Sequence, residues 1–171
     1  IPPTPVLMGI GIVEDIRKCV TSDMKNKGDI WIVGKSEEQM GASLYYRTQG
    51  INCPNVPTTD FDSFIPRMEQ LIEAIESGEV SACHDVSTGG IALAVIEMCM
   101  GGVGAKINLS GDMRDDLELF SESNGRWIVQ VKPEFEEIFS NRFDFARKIG
   151  HVDKDISFNL SKGAEVRFSI D

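Results

Sequence analysis

The sequence predicts an α+β domain in which helices pack on a mixed β-sheet. The chain has 171 residues and a hydrophobic content of 42%, enough for one domain with a complete core. Its apolar segments divide into short runs typical of strands and longer runs with helical spacing. Strands and helices do not alternate strictly, which favours a mixed sheet over a parallel α/β fold. We assign residues 1–171 to one domain, with the proline-rich residues 1–5 as the end of a linker.

The predicted strands are short apolar or alternating runs bounded by turn-forming residues. Glycines enter and leave several of them, and DKD and SKG turns separate the last three. The strands are expected at residues 6–13, 28–35, 79–83, 104–109, 126–131, 148–152, 156–160 and 164–170.

Three helices are predicted, at residues 62–78, 89–102 and 133–142. In the first, apolar residues recur at three- and four-residue spacing, Asp62 or Ser63 is the expected N-cap, and Gly78 the expected end. The second is apolar nearly all round, which predicts a buried helix. Pro133 opens the third.

Composition excludes several classes of function. The formal net charge of −10 argues against binding to nucleic acid or to an anionic membrane. No apolar run approaches the roughly 20 residues of a membrane span. The four cysteines form no CxxC motif, and Cys83 and Cys99 lie in apolar runs, where a cysteine is usually a core residue. We therefore expect reduced cysteines and a cytoplasmic protein, with zinc or a disulfide as the alternative.

The stretch HDVSTGG, residues 84–90, links a predicted strand to a predicted buried helix. Free N–H groups and the positive end of the helix dipole favour an anion such as phosphate at such a turn. Ser87 adds a hydroxyl donor, Gly89 and Gly90 allow close approach, and Asp85 could hold a divalent cation. The alternative is a capped turn, with Ser87 or Thr88 as the N-cap.

A second polar stretch, LFSESNGRW at residues 119–127, precedes another predicted strand. Arg126 could pair with a phosphate or with Glu122, and the alternative is an ordinary turn carrying a surface ion pair. A third stretch, EEQMGASLYY, has small residues after a run of acids. It is either a third polar turn or the start of a helix. Walker, GxGxxG and GxSxG motifs are absent from the sequence, so we assign no catalytic residue.

Together these stretches resemble the phosphoribosylformylglycinamidine synthase family. HDVSTGGIALAVIEM is similar to that family's HDxSDGGLxxALAEM segment, and LFSESNGRWIVQV to its LFSESxxRxVV segment. TPVLMGIGIVEDIRK, GDIWIVG and MGASLYY resemble its TPxxGxxGxxxD, GDxIxLxG and LGGSEY stretches in the same order. Thr88 departs from the usual acid, and Ala42 from the usual glycine.

The resemblance implies a fold similar to the C-terminal domain of aminoimidazole ribonucleotide synthetase, here in the second repeat of the synthase. It also implies a nucleotide site for ATP or ADP, with Asp85 holding Mg²⁺ and Ser87 contacting phosphate. The remaining phosphate- and nucleotide-binding candidates are Gly89, Gly90, Glu122, Ser123, Asn124 and Arg126. Asn124 stands where the first repeat of the family has a glutamine, so its correspondence is an analogy.

The family's enzyme converts formylglycinamide ribonucleotide, ATP and glutamine to formylglycinamidine ribonucleotide, as an ATP-dependent carbon–nitrogen ligase of purine biosynthesis. The expected partners are the N-terminal domains of the synthetase, a glutaminase subunit and a small accessory subunit. The ending at RFSID favours the small form of the enzyme, although a truncated chain would read the same. Alone, the domain is expected to be inactive and to self-associate through the surface that meets the N-terminal domains. The alternatives are a structural module that holds a nucleotide, or a domain of selenophosphate synthetase or thiamine-monophosphate kinase.

Overall fold

The computed structural model describes residues 6–109, 113–161 and 163–168. Within them the fold is α+β, as predicted, with one seven-stranded mixed sheet and helices packed on it. The strands are β1 (Asp29–Val33), β2 (Val80–Asp85), β3 (Gly104–Asn108), β4 (Trp127–Val131), β5 (Ala146–Asp153), β6 (Ile156–Asn159) and β7 (Glu165–Phe168). The α-helices are α1 (Leu44–Thr48), α2 (Phe61–Glu76), α3 (Gly90–Cys99), α4 (Asp115–Phe120) and α5 (Glu136–Arg142). Short 3₁₀-helices span Ile16–Lys18 and Pro133–Phe135.

The strands of the sheet lie in the order β2-β4-β1-β5-β3-β6-β7. Neighbouring strands are antiparallel except for β3 and β6, which are parallel. Strand β1, in the interior of the sheet, pairs Ile32 with Ile128 of β4 on one side and with Arg147 of β5 on the other. The C-terminal end of β2 lies beside the N-terminal end of β4. The polar turns attached to these two ends are therefore neighbours.

Both faces of the sheet are covered at β1, because its alternate side chains enter different cores. Ile30 and Ile32 pack in a core that includes α3, whereas Trp31 and Val33 pack in a core that includes residues of α2 and α5. On the second face, the rings of Trp31 and Phe139 meet edge to face with centroids 5.7 Å apart. Seven of the ten residues of α3 are buried, as its apolar composition predicts.

Several boundaries differ from the sequence prediction. The N-cap of α2 is Asp60, whose carboxylate accepts the N–H of Asp62 at 3.1 Å, so the prediction of Asp62 or Ser63 is wrong. The helix ends just before Gly78, as expected. Pro133 opens a 3₁₀-helix that leads directly into α5. Helix α4 was not predicted, since its six residues are too few to establish a helical period.

The strand predicted at residues 6–13 does not form in the structure. The segment is irregular, and its apolar side chains Val6, Leu7, Met8, Ile10 and Ile12 are exposed. An apolar strand is stable only when a neighbouring strand takes its hydrogen bonds, and the described residues pair none with this segment. We call residues 6–13 the N-terminal apolar segment.

All four cysteines are free thiols: Cys99 is buried, Cys53 and Cys83 are partly buried, and Cys19 is exposed. Burial raises the pKa of the Cys83 thiol to about 12 and that of Cys99 to about 11, so both stay protonated at neutral pH. In the part of the chain that the structure describes, no helix has the length and apolar character needed to cross a membrane.

Candidate functional site

The turn between β2 and α3 is closed by glycine rather than by a polar cap. Gly89 is the N-cap of α3 and adopts a left-handed conformation with φ +81°, and no side chain caps the helix. The N–H of Gly90 donates to the carbonyl of Ser87 at 3.1 Å. The alternative in which Ser87 or Thr88 caps the helix is therefore wrong, because Gly89 occupies that position.

The polar side chains of this turn are open to solvent. Ser87 and Thr88 are exposed, and the Asp85 side chain is 66% exposed. The His84 ring lies beside the turn, with Nδ1 2.7 Å from the Asp85 carbonyl oxygen and Nε2 3.3 Å from a carboxylate oxygen of Glu97. His84 is thus held by its neighbours, while Asp85 and Ser87 are accessible to a ligand.

Glu122 joins the three polar stretches of the sequence. Its Oε1 atom accepts the N–H of Gly89 at 2.9 Å and the N–H of Leu44 at 2.8 Å. Gly89 belongs to HDVSTGG and Leu44 to MGASLYY, and Glu122 itself belongs to LFSESNGR. A carboxylate of the protein thus takes the Gly89 N–H, one of the groups predicted to face an anion, and charged acceptors make such bonds strong.

Removing this carboxylate tests its structural contribution. Glu122→Ala leaves two backbone N–H groups without their acceptor, and we expect the free energy of unfolding to fall by about 1–3 kcal/mol. Glu122→Gln keeps an acceptor oxygen and should lose less. Urea denaturation of both variants measures the difference, with Glu134→Ala, at an exposed glutamate, as the control. Equal losses for alanine and glutamine would contradict this role.

Two serine hydroxyls fix the backbone on either side of Glu122. Ser121 and Ser123 are buried, and their Oγ atoms lie 2.6 Å apart. The Ser121 hydroxyl donates to the Glu37 carbonyl at 2.9 Å, and the Ser123 hydroxyl accepts the Glu37 N–H at 2.9 Å. The turn is thereby fastened to the segment that follows β1.

Arg126 lies inside the fold behind this turn and is only 1% exposed. Its Nε donates to the Ser123 carbonyl at 3.0 Å, and its Nη1 donates to Ser36 Oγ at 2.8 Å. Its Nη2 donates to the Ser121 carbonyl. Burial lowers the pKa of this guanidinium to about 10. Among the described residues, Arg126 and Glu122 form no ion pair. That Arg126 contacts a phosphate stays a prediction.

The other side of the turn borders a polar cavity of about 220 Å³. Asn124 is exposed there, and its Nδ2 donates to Thr59 Oγ1 at 2.9 Å. Arg67 of α2 donates from Nη1 to the Gly125 carbonyl at 3.1 Å. The cavity lining combines hydroxyl and amide groups with two basic residues, two acidic residues and two aromatic rings; it includes Lys35, Glu37, Gln39, Thr58, Thr59, Asp60, Ser63, Phe64, Arg67, Ser123, Asn124 and Phe145.

Ala42 lies next to the site in a strained conformation. Its φ of +62° is in the left-handed region, which costs a residue with a side chain roughly 1–2 kcal/mol. The family pattern resembled by this stretch has a glycine at this place, a residue that adopts such a conformation without strain. The strain sits two residues before the Leu44 N–H that binds Glu122.

A metal ion at this site would need ligands in addition to the side chains of the three polar stretches. Within the described residues, no group of three or more His, Cys, Asp or Glu side chains could hold an ion. Asp85 supplies one accessible carboxylate. Mg²⁺ commonly binds proteins through one or two carboxylates together with phosphate oxygens and water. Asp85 therefore fits a magnesium ion that arrives with a nucleotide.

Sequence reasoning did not identify several residues of the site. It missed the Leu44 N–H, Glu37, Lys35 and Arg67, because each reaches the turn only through tertiary contacts. One local signal was available, since Ser43 precedes LYYRT and is the N-cap of α1.

Known proteins resemble the chain in both sequence and fold. Residues 26–161 match the family described as AIR synthase related protein, C-terminal domain. Phosphoribosylformylglycinamidine synthase subunit PurL of Thermoanaerobacter sp. (strain X514) is 36% identical over 158 residues, which cover 88% of this chain and 22% of that protein. The corresponding subunit of Thermococcus sibiricus is 35% identical over 173 residues, covering 97% and 24%.

Among solved structures, T. maritima PurL complexed with FGAR has a TM-score of 0.71 at 20% identity, covering 88% of this chain and 29% of that chain. Hydrogenase maturation protein HypE has a TM-score of 0.62 at 16% identity, covering 89% and 56%. At these identities the likeness establishes the fold alone. The chain spans about a quarter of the length of the curated relatives it matches. Since the family match covers residues 26–161, the chain belongs to the AIR synthase related protein C-terminal domain family.

Proposed function

We propose that this chain acts as the C-terminal domain of a phosphoribosylformylglycinamidine synthase, a cytoplasmic ligase of purine biosynthesis. The whole enzyme would convert formylglycinamide ribonucleotide, ATP and glutamine to formylglycinamidine ribonucleotide. The similarity to PurL subunits over 88% and 97% of the chain supports this assignment. This chain would help to position the bound substrates and to stabilise charge, and other domains would supply the reacting side chains.

The observation that carries the proposal is the convergence of three turns at Glu122, through Gly89 and Leu44. This arrangement leaves the Ser87 hydroxyl exposed at the start of a buried helix, where the helix dipole favours phosphate. We propose that Ser87 and the backbone at Gly89 and Gly90 border a nucleotide site.

The LFSESNGR turn would support that site through Glu122, while its other side borders a separate polar cavity whose lining does not include Ser87, Gly89 or Gly90. Glu122 would keep the Gly89 backbone in place, while Ser123 and Asn124 line the polar cavity on the other side of the turn. Arg126 would act by holding the backbone of Ser121 and Ser123 from its buried position behind the turn.

Magnesium would reach this site together with the nucleotide. T. maritima PurL has been solved in complexes with ATP and with ADP. Asp85, with its exposed carboxylate, would hold Mg²⁺ jointly with phosphate oxygens. The ion would offset the phosphate charge, and the residues of the turn would orient the phosphates.

The N-terminal apolar segment would contact the N-terminal domains of the synthase. Its side chains at positions 6, 7, 8, 10 and 12 are 84–95% exposed, and contiguous exposed apolar groups mark interaction sites. The same segment would let the isolated chain self-associate. A structure of PurLQS from Thermotoga maritima contains PurL in a larger complex, and we propose glutaminase and small accessory subunits as partners here.

A structural role without a bound nucleotide is the second candidate. It is favoured by Glu122, which already satisfies the Gly89 N–H that a phosphate would otherwise take. In that case the domain would brace the catalytic part of the enzyme, and Asp85 and Ser87 would be ordinary surface residues.

Asp85→Asn distinguishes the two candidates. The variant is made in a chimera in which this chain replaces the corresponding segment of the Thermoanaerobacter PurL. We expect less nucleotide to be retained through purification, a lower melting temperature because binding energy is lost, and little change in the rate of amidine formation.

The control for this experiment is Asp144→Asn, at another exposed aspartate. The isolated chain provides the baseline without turnover. Unchanged nucleotide content in the Asp85→Asn chimera would support the bracing role. A chimera that makes no amidine with the natural Asp85 in place would count against the assignment to this synthase.

A further inference from the structure

Helix α2 carries an apolar row that its own domain does not cover. Phe61, Ile65, Met68 and Ile72 are 66%, 46%, 36% and 48% exposed, respectively. Their spacing of four, three and four residues places them on one side of the helix. The same spacing forms the seam along which one helix packs against another. We call these four residues the α2 row.

The α2 row is separate from the face that attaches the helix to the sheet. Leu71 and Ala74 are buried in the core with Trp31 and Val129, and the Phe64 ring stacks on Trp127 at a centroid distance of 5.7 Å. The domain therefore anchors α2 through other residues, and none of the four residues of the row belongs to either of the two cores. Contiguous exposed apolar side chains of this kind mark interaction surfaces.

A row of acidic residues runs beside the α2 row. Asp62, Glu69 and Glu76 recur every seven residues and are exposed. On a helix of 3.6 residues per turn, each lies close to one member of the α2 row. Glu73 is paired instead with Arg142 at 3.2 Å. The ion pairs of the described residues include none of the three, so their charges are available to a partner.

We propose that the α2 row binds an amphipathic helix of another polypeptide segment, with lysine or arginine flanking its apolar stripe. The apolar residues supply burial, and the acidic row selects a basic partner. A second copy of this chain fits poorly, because antiparallel pairing of two α2 helices sets each acidic row against the other. The net charge of −10 adds to that repulsion.

The probe is a labelled 21-residue synthetic helix with leucine at the seam positions and lysine beside them. A second peptide carries glutamate in place of lysine. By fluorescence anisotropy with the 171-residue chain, we expect the lysine peptide to bind about tenfold more tightly or better. Ile65→Ser combined with Ile72→Ser should weaken that binding about tenfold, since it removes two apolar contacts from the centre of the surface.

Charge reversal tests the proposal independently of the apolar residues. Glu69→Lys with Glu76→Lys should reverse the preference between the peptides, whereas Glu134→Lys with Glu137→Lys, at exposed positions outside α2, should preserve it. Both pairs change the net charge equally. Binding that is equal in all variants would overturn the proposal. A second result would also overturn it: neither peptide binds, sedimentation detects a dimer of the chain, and Ile65→Ser with Ile72→Ser abolishes that dimer.

Discussion

Replacing Arg126 with alanine is expected to lower the free energy of unfolding by about 3–5 kcal/mol. The guanidinium is buried and donates to Ser123 O, Ser36 Oγ and Ser121 O. The substitution leaves these acceptors without a donor and opens a cavity behind the turn, and each effect is costly in a protein interior. Guanidinium chloride denaturation, followed by tryptophan fluorescence, measures the loss.

The matched control is Arg17→Ala. Arg17 is exposed and pairs only with its near neighbour Asp15, so the midpoint of unfolding should not change. Arg126→Lys keeps a positive charge but cannot reproduce the planar set of donors, and it should recover only part of the stability. If Arg126→Ala unfolds at the same denaturant concentration as the wild type, the buried network does not hold the turn.

Gly90→Ala is expected to cost about 2–5 kcal/mol, the sum of backbone strain and a steric clash. Gly90 has φ +67°, and a Cβ atom there would lie 2.5 Å from the Leu119 carbonyl oxygen and 2.7 Å from that of Ser121. These are backbone atoms, so relief requires α3 to move away from the LFSESNGR turn. Thermal and urea unfolding both report the loss.

Gly50→Ala separates the two contributions. Gly50 has nearly the same φ, +69°, but a Cβ atom there would meet nothing within 4 Å. Only the conformational cost remains, about 1–2 kcal/mol. Equal losses at the two glycines would contradict the close approach at Gly90.

The sequence predicted the α+β class and most of the elements, because their apolar patterns are local. The continuous apolar run of β1 and the buried character of α3 are properties of a few consecutive residues. The N-terminal apolar segment has an equally strong local pattern and nevertheless forms no strand. A strand requires a neighbour, and no pattern within eight residues reveals whether one is present.

The sequence predicted the three polar stretches that form the site, but not how they are arranged in space. Glu122 contacts one residue that lies 33 positions away in the sequence and another that lies 78 positions away. Arg126 contacts Ser36, which is 90 positions away. Whether Arg126 points outward or inward depends on the carbonyl groups of Ser121 and Ser123, which local spacing does not place. A charged residue in a polar stretch was therefore interpreted as exposed, whereas the fold buries it.

The strand order also affects how the chain folds during synthesis. Strand β1 is the first of the sheet to be made, yet its neighbours β4 and β5 are among the later ones. Until they emerge from the ribosome, both edges of a strongly apolar strand stay unpaired, and such edges invite association with other chains. Among the described strands, only β6 and β7 pair with an immediate neighbour in sequence, so closure of long loops must precede most of the sheet. From this topology we expect the nascent chain to fold slowly and to benefit from chaperones.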